Sequence, residues 1–286
     1  MSGAVCLRTG RMATVLVATA LVGLAVAPLV VAGTVSSVAA AVAVPAADRV
    51  ATAALAGIVP PDNPPRNIPP NPYFYEFCGG GALDETVACN SEVVLAIDHA
   101  RSGEPLAPLH FNLQRFLRLP VADQLFAIAD LERVSRGEQP MSALTTQLDE
   151  VAGAGALAGK DPEPSAERLS GGARLSGWGS NWAEGTDSAL GSDDMWMYDD
   201  GYGGANFDCR SAHAEGCWGH RDNILRAWQH NLAGCTSAAS HLVMGAGYAR
   251  SSRFGASFAE IFVAACGPKP AGEVFTWPQA RAAIGF

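Results

Sequence analysis

The chain has 286 residues, with 19 Lys and Arg against 28 Asp and Glu and a formal charge of −9. That length allows one large or two small domains. An acidic balance argues against nucleic acid and anionic membrane as partners.

Residues 1–11 carry Arg8 and Arg11 and no acid, residues 12–33 are almost wholly apolar, and small residues follow from Val38 to Ala43. This is the pattern of a secretory signal over residues 1–44, with cleavage near residues 41–47. The apolar run could also span a bilayer, so a retained signal is the one predicted route to a membrane. Cys6 precedes the run and is no lipid-attachment site after it. Cleavage removes both arginines and moves the formal charge from −9 to about −11. Six cysteines remain: Cys78, Cys89, Cys209, Cys217, Cys235 and Cys266. An even number in an exported chain predicts three disulfides, and six cysteines allow fifteen pairings. The preferred set is Cys78–Cys89, Cys209–Cys217 and Cys235–Cys266, each closing a local loop or stapling neighbouring strands. No Cys-x-x-Cys pair exists, so the spacing is not that of a zinc site, and no cofactor is implied.

Residues 45–83 read as a Pro/Gly-rich linker. Pro60-Pro61, Pro64-Pro65 and Pro69-Pro70 favour an extended, coreless spacer. Tyr73 to Phe77 are expected to cap the domain edge. A folded domain is predicted over residues 84–286. Its first helix spans Ser91 to Arg101, with Val94, Leu95, Ile97 and Ala100 apolar, and Pro105 ends it. A second spans Ala122 to Ser135, through Leu125, Ile128, Ala129 and Leu131. A third spans Ser142 to Gly155, with Ser142 as its cap. Residues 156–188 are glycine-rich and polar and read as loop.

Met195-Trp196-Met197-Tyr198 form a core-like cluster. Around it Asp193, Asp194, Asp199, Asp200 and Asp208 crowd one glycine-containing segment. Calcium draws oxygen ligands from such loops, although this spacing is not that of a helix–loop–helix site and solvated turn residues are the plainer expectation. His241 to Arg250 and Ala256 to Ala265 read as the strands of a hairpin, which would bring Cys235 near Cys266. The tail after Pro268 carries no reactive pattern.

The densest stretch is Gly216 to Trp228. After Gly219, the residues Ile224, Leu225, Trp228 and Leu232 fall at helical spacing, with His220 on the side of Ile224 and Trp228. Asp222 suits the positive end of the helix dipole. A protonated His220 would be disfavoured there, so a lowered pKa and a neutral ring are predicted. Such a ring can serve as base, hydrogen-bond partner or ligand, or hold the turn structurally.

Gly219-His220-Arg221-Asp222-Asn223-Ile224-Leu225 resembles the signature of the CAP superfamily (cysteine-rich secretory, antigen 5 and pathogenesis-related proteins) in its bacterial form. Gly179-Ser180-Asn181-Trp182-Ala183 resembles the family's Gly-Glu-Asn-Leu-Ala run, and Met195 to Tyr198 its Trp-Tyr helix. Leu131 to Gly137 with Pro140 resembles the family's opening helix and turn. Ile97 to Gly103 echoes it more weakly, which would make the first helix an addition. The resemblance implies an α+β fold, a three-layer α/β/α sandwich of the CAP type with an extra N-terminal helix. It also implies a cleft near His220, walled by Ser180, Asn181, Trp196 and Asp199. The family cleft usually presents two histidines and two glutamates. Here only His220 matches fully, Asp199 is a shortened carboxylate, Ser180 replaces a glutamate, and Asp161 is the nearest polar residue to the missing histidine. The expectation is a secreted, non-enzymatic binding or structural module for a small extracellular ligand or cell-wall component. The alternatives are an extracellular hydrolase using His220 and Asp199, and a calcium-bound adhesive domain.

Overall fold

The computed structural model describes residues 63–200, 218–225, 235, 239–251 and 255–286. The predicted signal, Asp208 and the Cys209–Cys217 pair lie outside the described residues. The described part is α+β, with a mixed five-stranded sheet in the order β2-β4-β3-β1-β5. The strands are β1 (Ala143–Thr145), β2 (Arg174–Glu184), β3 (Ser240–Ser251), β4 (Gly255–Cys266) and β5 (Glu273–Thr276). The helices are α1 (Val87–Ser102), α2 (Leu113–Phe116), α3 (Val121–Ser135), α4 (Thr146–Ala158), α5 (Ala189–Met197), α6 (Gly219–Leu225) and α7 (Trp277–Ile284).

The predicted hairpin is present: β3 and β4 pair antiparallel from Ser240↔Cys266 to Ser251↔Gly255. Its apolar alternation is imperfect in sequence because β4 is central and buried along nearly its whole length, so both faces call for apolar residues. Disulfides join Cys78 to Cys89 and Cys235 to Cys266, as the spacing predicts.

Local chemistry sets the helix boundaries. α1 begins earlier than predicted because the Thr86 side chain accepts the N–H of Cys89. The third predicted helix starts at Thr146 rather than Ser142, because residues 143–145 join the sheet as β1 and Thr145 caps α4 by accepting the N–H of Leu148. Gly159, with φ 67°, closes that helix. The tail after Pro268 is structured as well. β5 pairs with β1, and Gln279 accepts the N–H of Thr276 at 2.8 Å to open α7.

The largest correction concerns residues 156–188. Within this expected loop, Arg174–Glu184 form β2, the edge strand paired with β4. The linker is also shorter than expected. Phe74 is fully buried in the core, the N–H of Ile68 donates to Tyr198 O at 2.7 Å, and the N–H of Ala256 donates to Gly81 O at 2.6 Å. Residues from Asn63 onward therefore dock on the domain.

The sheet separates two apolar clusters. On one face Leu148 and Ala152 of α4 meet Val243, Ile261 and Val263. On the other, α1, α3, α5 and α6 meet Met244, Ala246, Phe258 and Phe262. No helix among the described residues is long and apolar enough to cross a membrane.

Candidate functional site

Trp218 sits in a left-handed turn (φ 64°) with its ring fully buried, and its carbonyl accepts the N–H of Asp222 at 2.8 Å. The bend predicted before His220 is therefore present, and α6 follows it at once. Each polar residue of the seven-residue motif is used. Arg221 is fully buried and donates to Glu104 and to Met197 O, both at 2.7 Å. Asn223 donates to Ser180 O at 2.8 Å and to Asn181 Oδ1 at 3.1 Å. Asn181 donates in return to His220 O at 3.1 Å. A Cβ on Gly179 would overlap the Asn223 side chain, so glycine at this point lets α6 close on β2. From the other side Arg133 donates to Ile224 O and Leu225 O, the last described carbonyls of α6.

His220 is thereby fixed with its side chain 26% exposed, and its Nδ1 lies 2.6 Å from Oδ1 of the fully buried Asp200. A carboxylate only accepts, so Nδ1 carries the proton and Nε2 is left for a ligand or a second proton. Burial lowers the imidazole pKa. The hydrogen bond and charge of Asp200, joined by the charge of Asp161, outweigh it, and the net shift is upward. The predicted lowering is thus overturned, because a specific carboxylate partner dominates over the helix dipole.

The other predicted cleft residues are redistributed. Asp200 partners His220, in place of Asp199. Trp196 is fully buried in the core with its Nε1 donating to Trp182 O, so it walls no open cleft. Ser180 and Asn181 are on β2, nearly or fully buried, and contribute mainly by bracing α6. Asp161 does reach the site: it accepts the backbone N–H of Trp182 and acts on His220 through its charge. The outer edge of β2 is thus met by Asn223, Asp161 and Trp196, which protects it from pairing with another strand.

Asp193 and Asp194 are buried side chains of α5, not the solvated turn residues expected. Among the described residues no group of three or more His, Cys, Asp or Glu side chains gathers as metal ligands would. A separate hollow of about 470 Å³ lies beside Arg66, Asn67, Ile68, Pro69 and His99. Among the described residues, Asn67 links it to the site, its Nδ2 donating to Asp200 O at 2.9 Å.

Sequence reasoning missed the polar scaffold beneath the histidine. Glu132 takes Arg101 at 2.6 Å and also Arg136; Glu104 takes Arg136 at 2.9 Å and Arg221 at 2.7 Å; and Tyr198 donates to Glu132 at 2.9 Å. Arg221 and Asn223 could have been found from their place in the motif. Glu104, Glu132 and Arg136 carry no local signal.

Comparison of the chain with protein-family models, with curated proteins and with solved structures gave no match.

Proposed function

We propose that the chain is an exported CAP-type domain that holds a small polar extracellular ligand at the exposed edge of His220. In this reading helices on both faces of the sheet make the α/β/α sandwich, and α1 is the added N-terminal helix. The observation that carries the reading is the imidazole itself. It is anchored on one nitrogen by a buried carboxylate, partly open to solvent, and braced by Arg221 and Asn223 of the same motif. That is a preorganised hydrogen-bonding group, the kind of fixed polar point that orients a ligand. Asp161 beside it favours a ligand with donors or positive charge. Two disulfides among the described residues suit an oxidising compartment.

A second reading, an extracellular hydrolase, draws on the same 2.6 Å His220–Asp200 contact, since carboxylates orient catalytic imidazoles. Among the described residues no hydroxyl or thiol hydrogen bonds to the ring as an activated nucleophile would, and binding stays first. The calcium reading loses its support with the burial of Asp193 and Asp194. The deciding experiment is mass spectrometry of small molecules copurifying with the secreted protein and its His220→Ala variant. A molecule retained by the first and lost by the second is expected. An identical set from both would overturn the binding reading.

A further inference from the structure

We propose that Asp193, Asp194 and Glu260 form a proton-loaded lock between α5 and β4, closed in mildly acidic surroundings and released as the pH rises. All three are 0–1% exposed. Among the described residues, both carboxyl oxygens of Asp193, both of Glu260 and Oδ1 of Asp194 have no hydrogen-bond partner. Carboxylates buried in this state lose their hydration and gain no hydrogen bond in return, so the neutral acid is the form that fits the interior.

The surroundings offset them only in part: Arg136 and Arg101 draw Asp193 down. Asp130 and Glu132 of α3, Arg136 just past its end, Arg101 of α1 and Asp199 beyond α5 act on the three carboxyls, and the Tyr75 hydroxyl feels Asp194. On the sheet, Asn181 of β2 pairs with Glu260. The buried cations are already committed: Arg101 to Glu132, Arg133 to Asp130, Arg136 to Glu132 and Glu104, and Arg221 to Glu104. No metal-ligand group converges among the described residues, so the counter-charge is the proton. Burial holds all three groups well above the ordinary carboxylate range, and neighbouring acids add to it: Glu132 and Asp194 at Asp193, Asp199 and Glu132 at Asp194, and Asp193 and Asp130 at Glu260.

The position of the lock gives it a consequence. α5 runs directly into Tyr198, which donates to Glu132 and whose carbonyl holds Ile68, and then into Asp200, which anchors His220. Loss of protons would set Asp193 against both Glu260 and Asp194, loosen α5 from β4 and take the Tyr198–Asp200 segment with it. The folded chain holds protons that the unfolded chain, with ordinary carboxyls, has released above about pH 4, so stability falls as pH rises.

The test uses the full secreted chain and its Glu260→Gln variant. Thermal unfolding is followed at pH 5 and pH 8.5, and amide hydrogen exchange at both values after correction for the intrinsic rate. The melting temperature of the wild type is expected to fall by about 5 °C or more on alkalinisation. The fall should be clearly smaller in the variant, and protection in Ala189–Met197 should be lost before protection in Thr146–Ala158. A wild-type melting temperature that is flat or higher at pH 8.5, an unchanged fall in the variant, or equal loss of protection in both helices would overturn the lock. Should Glu260→Gln not fold, Asp194→Asn is read in its place by the same criteria.

Discussion

The two faces of the sheet are held by opposite means. The α4 face closes by shape. A Cβ on Gly245 would overlap the backbone of Leu148, and one on Gly247 the backbone of Gly153, so these glycines let the helix lie against β3 with small aliphatic residues around it. The opposite face closes by charge count: four fully buried arginines and their carboxylates tie α1, α3, α5 and α6 together above an apolar floor. The first arrangement tolerates no added volume, and the second tolerates no missing partner. His220 lies on the second face, where position is fixed by hydrogen bonds that also set its charge.

The largest effect is expected from breaking that second face. Arg136→Ala removes the cation shared by Glu104 and Glu132, and also the donor to Tyr198. Stripping one partner from a buried ionic network costs about 3–5 kcal/mol. Urea unfolding measures it, and a loss below about 1 kcal/mol would mean that water reaches both carboxylates. On the α4 face, Gly245→Ala forces its Cβ onto the Leu148 backbone and should cost about 3 kcal/mol by overpacking. The contrast sharpens if the His220 titration is read in both variants: Arg136→Ala should disturb it and Gly245→Ala should leave it in place. A smaller cost of about 1 kcal/mol is expected for Thr145→Ala, which loses the α4 cap and touches neither the network nor the histidine.

This division also explains what could be read from the sequence. The α1 and α3 helices, the β3–β4 hairpin, two disulfides and the bend before His220 follow local rules of period, capping and spacing, and they were legible. β2 was not. Ser180, Asn181 and the glycines around them look like loop, yet Gly179 must lack a Cβ to admit Asn223 and Asn181 must be polar to hold the carbonyl of His220. Neither requirement is visible until α6 is placed beside the strand. Asp193 and Asp194 misled for a similar reason, since aspartates in a glycine-containing segment suggest solvent and these two face a protein interior. Asp199 and Asp200 differ by one position, and only the course of the chain after α5 decides which carboxylate meets the imidazole.

The smallest and most specific effect concerns that choice. Asp200 raises the pKa of His220 through a 2.6 Å hydrogen bond and through its charge, against the lowering by burial. Asp200→Asn keeps the shape, and its amide can still accept from Nδ1, but the charge is gone, so the imidazole pKa should drop while Asp199→Asn leaves it nearly where it was. Proton NMR of the ring between about pH 5 and 9 follows both variants across the range in which histidine changes charge. The linkage has a definite sign. A group whose folded pKa is raised stabilises the protein below its unfolded pKa, near 6.5, and that contribution disappears as pH rises through the folded value. Wild type should therefore lose more stability than Asp200→Asn between mildly acidic and mildly alkaline solution. If Asp199→Asn moves the titration and Asp200→Asn does not, the imidazole has a different anchor and the ligand edge must be redrawn around Asp199.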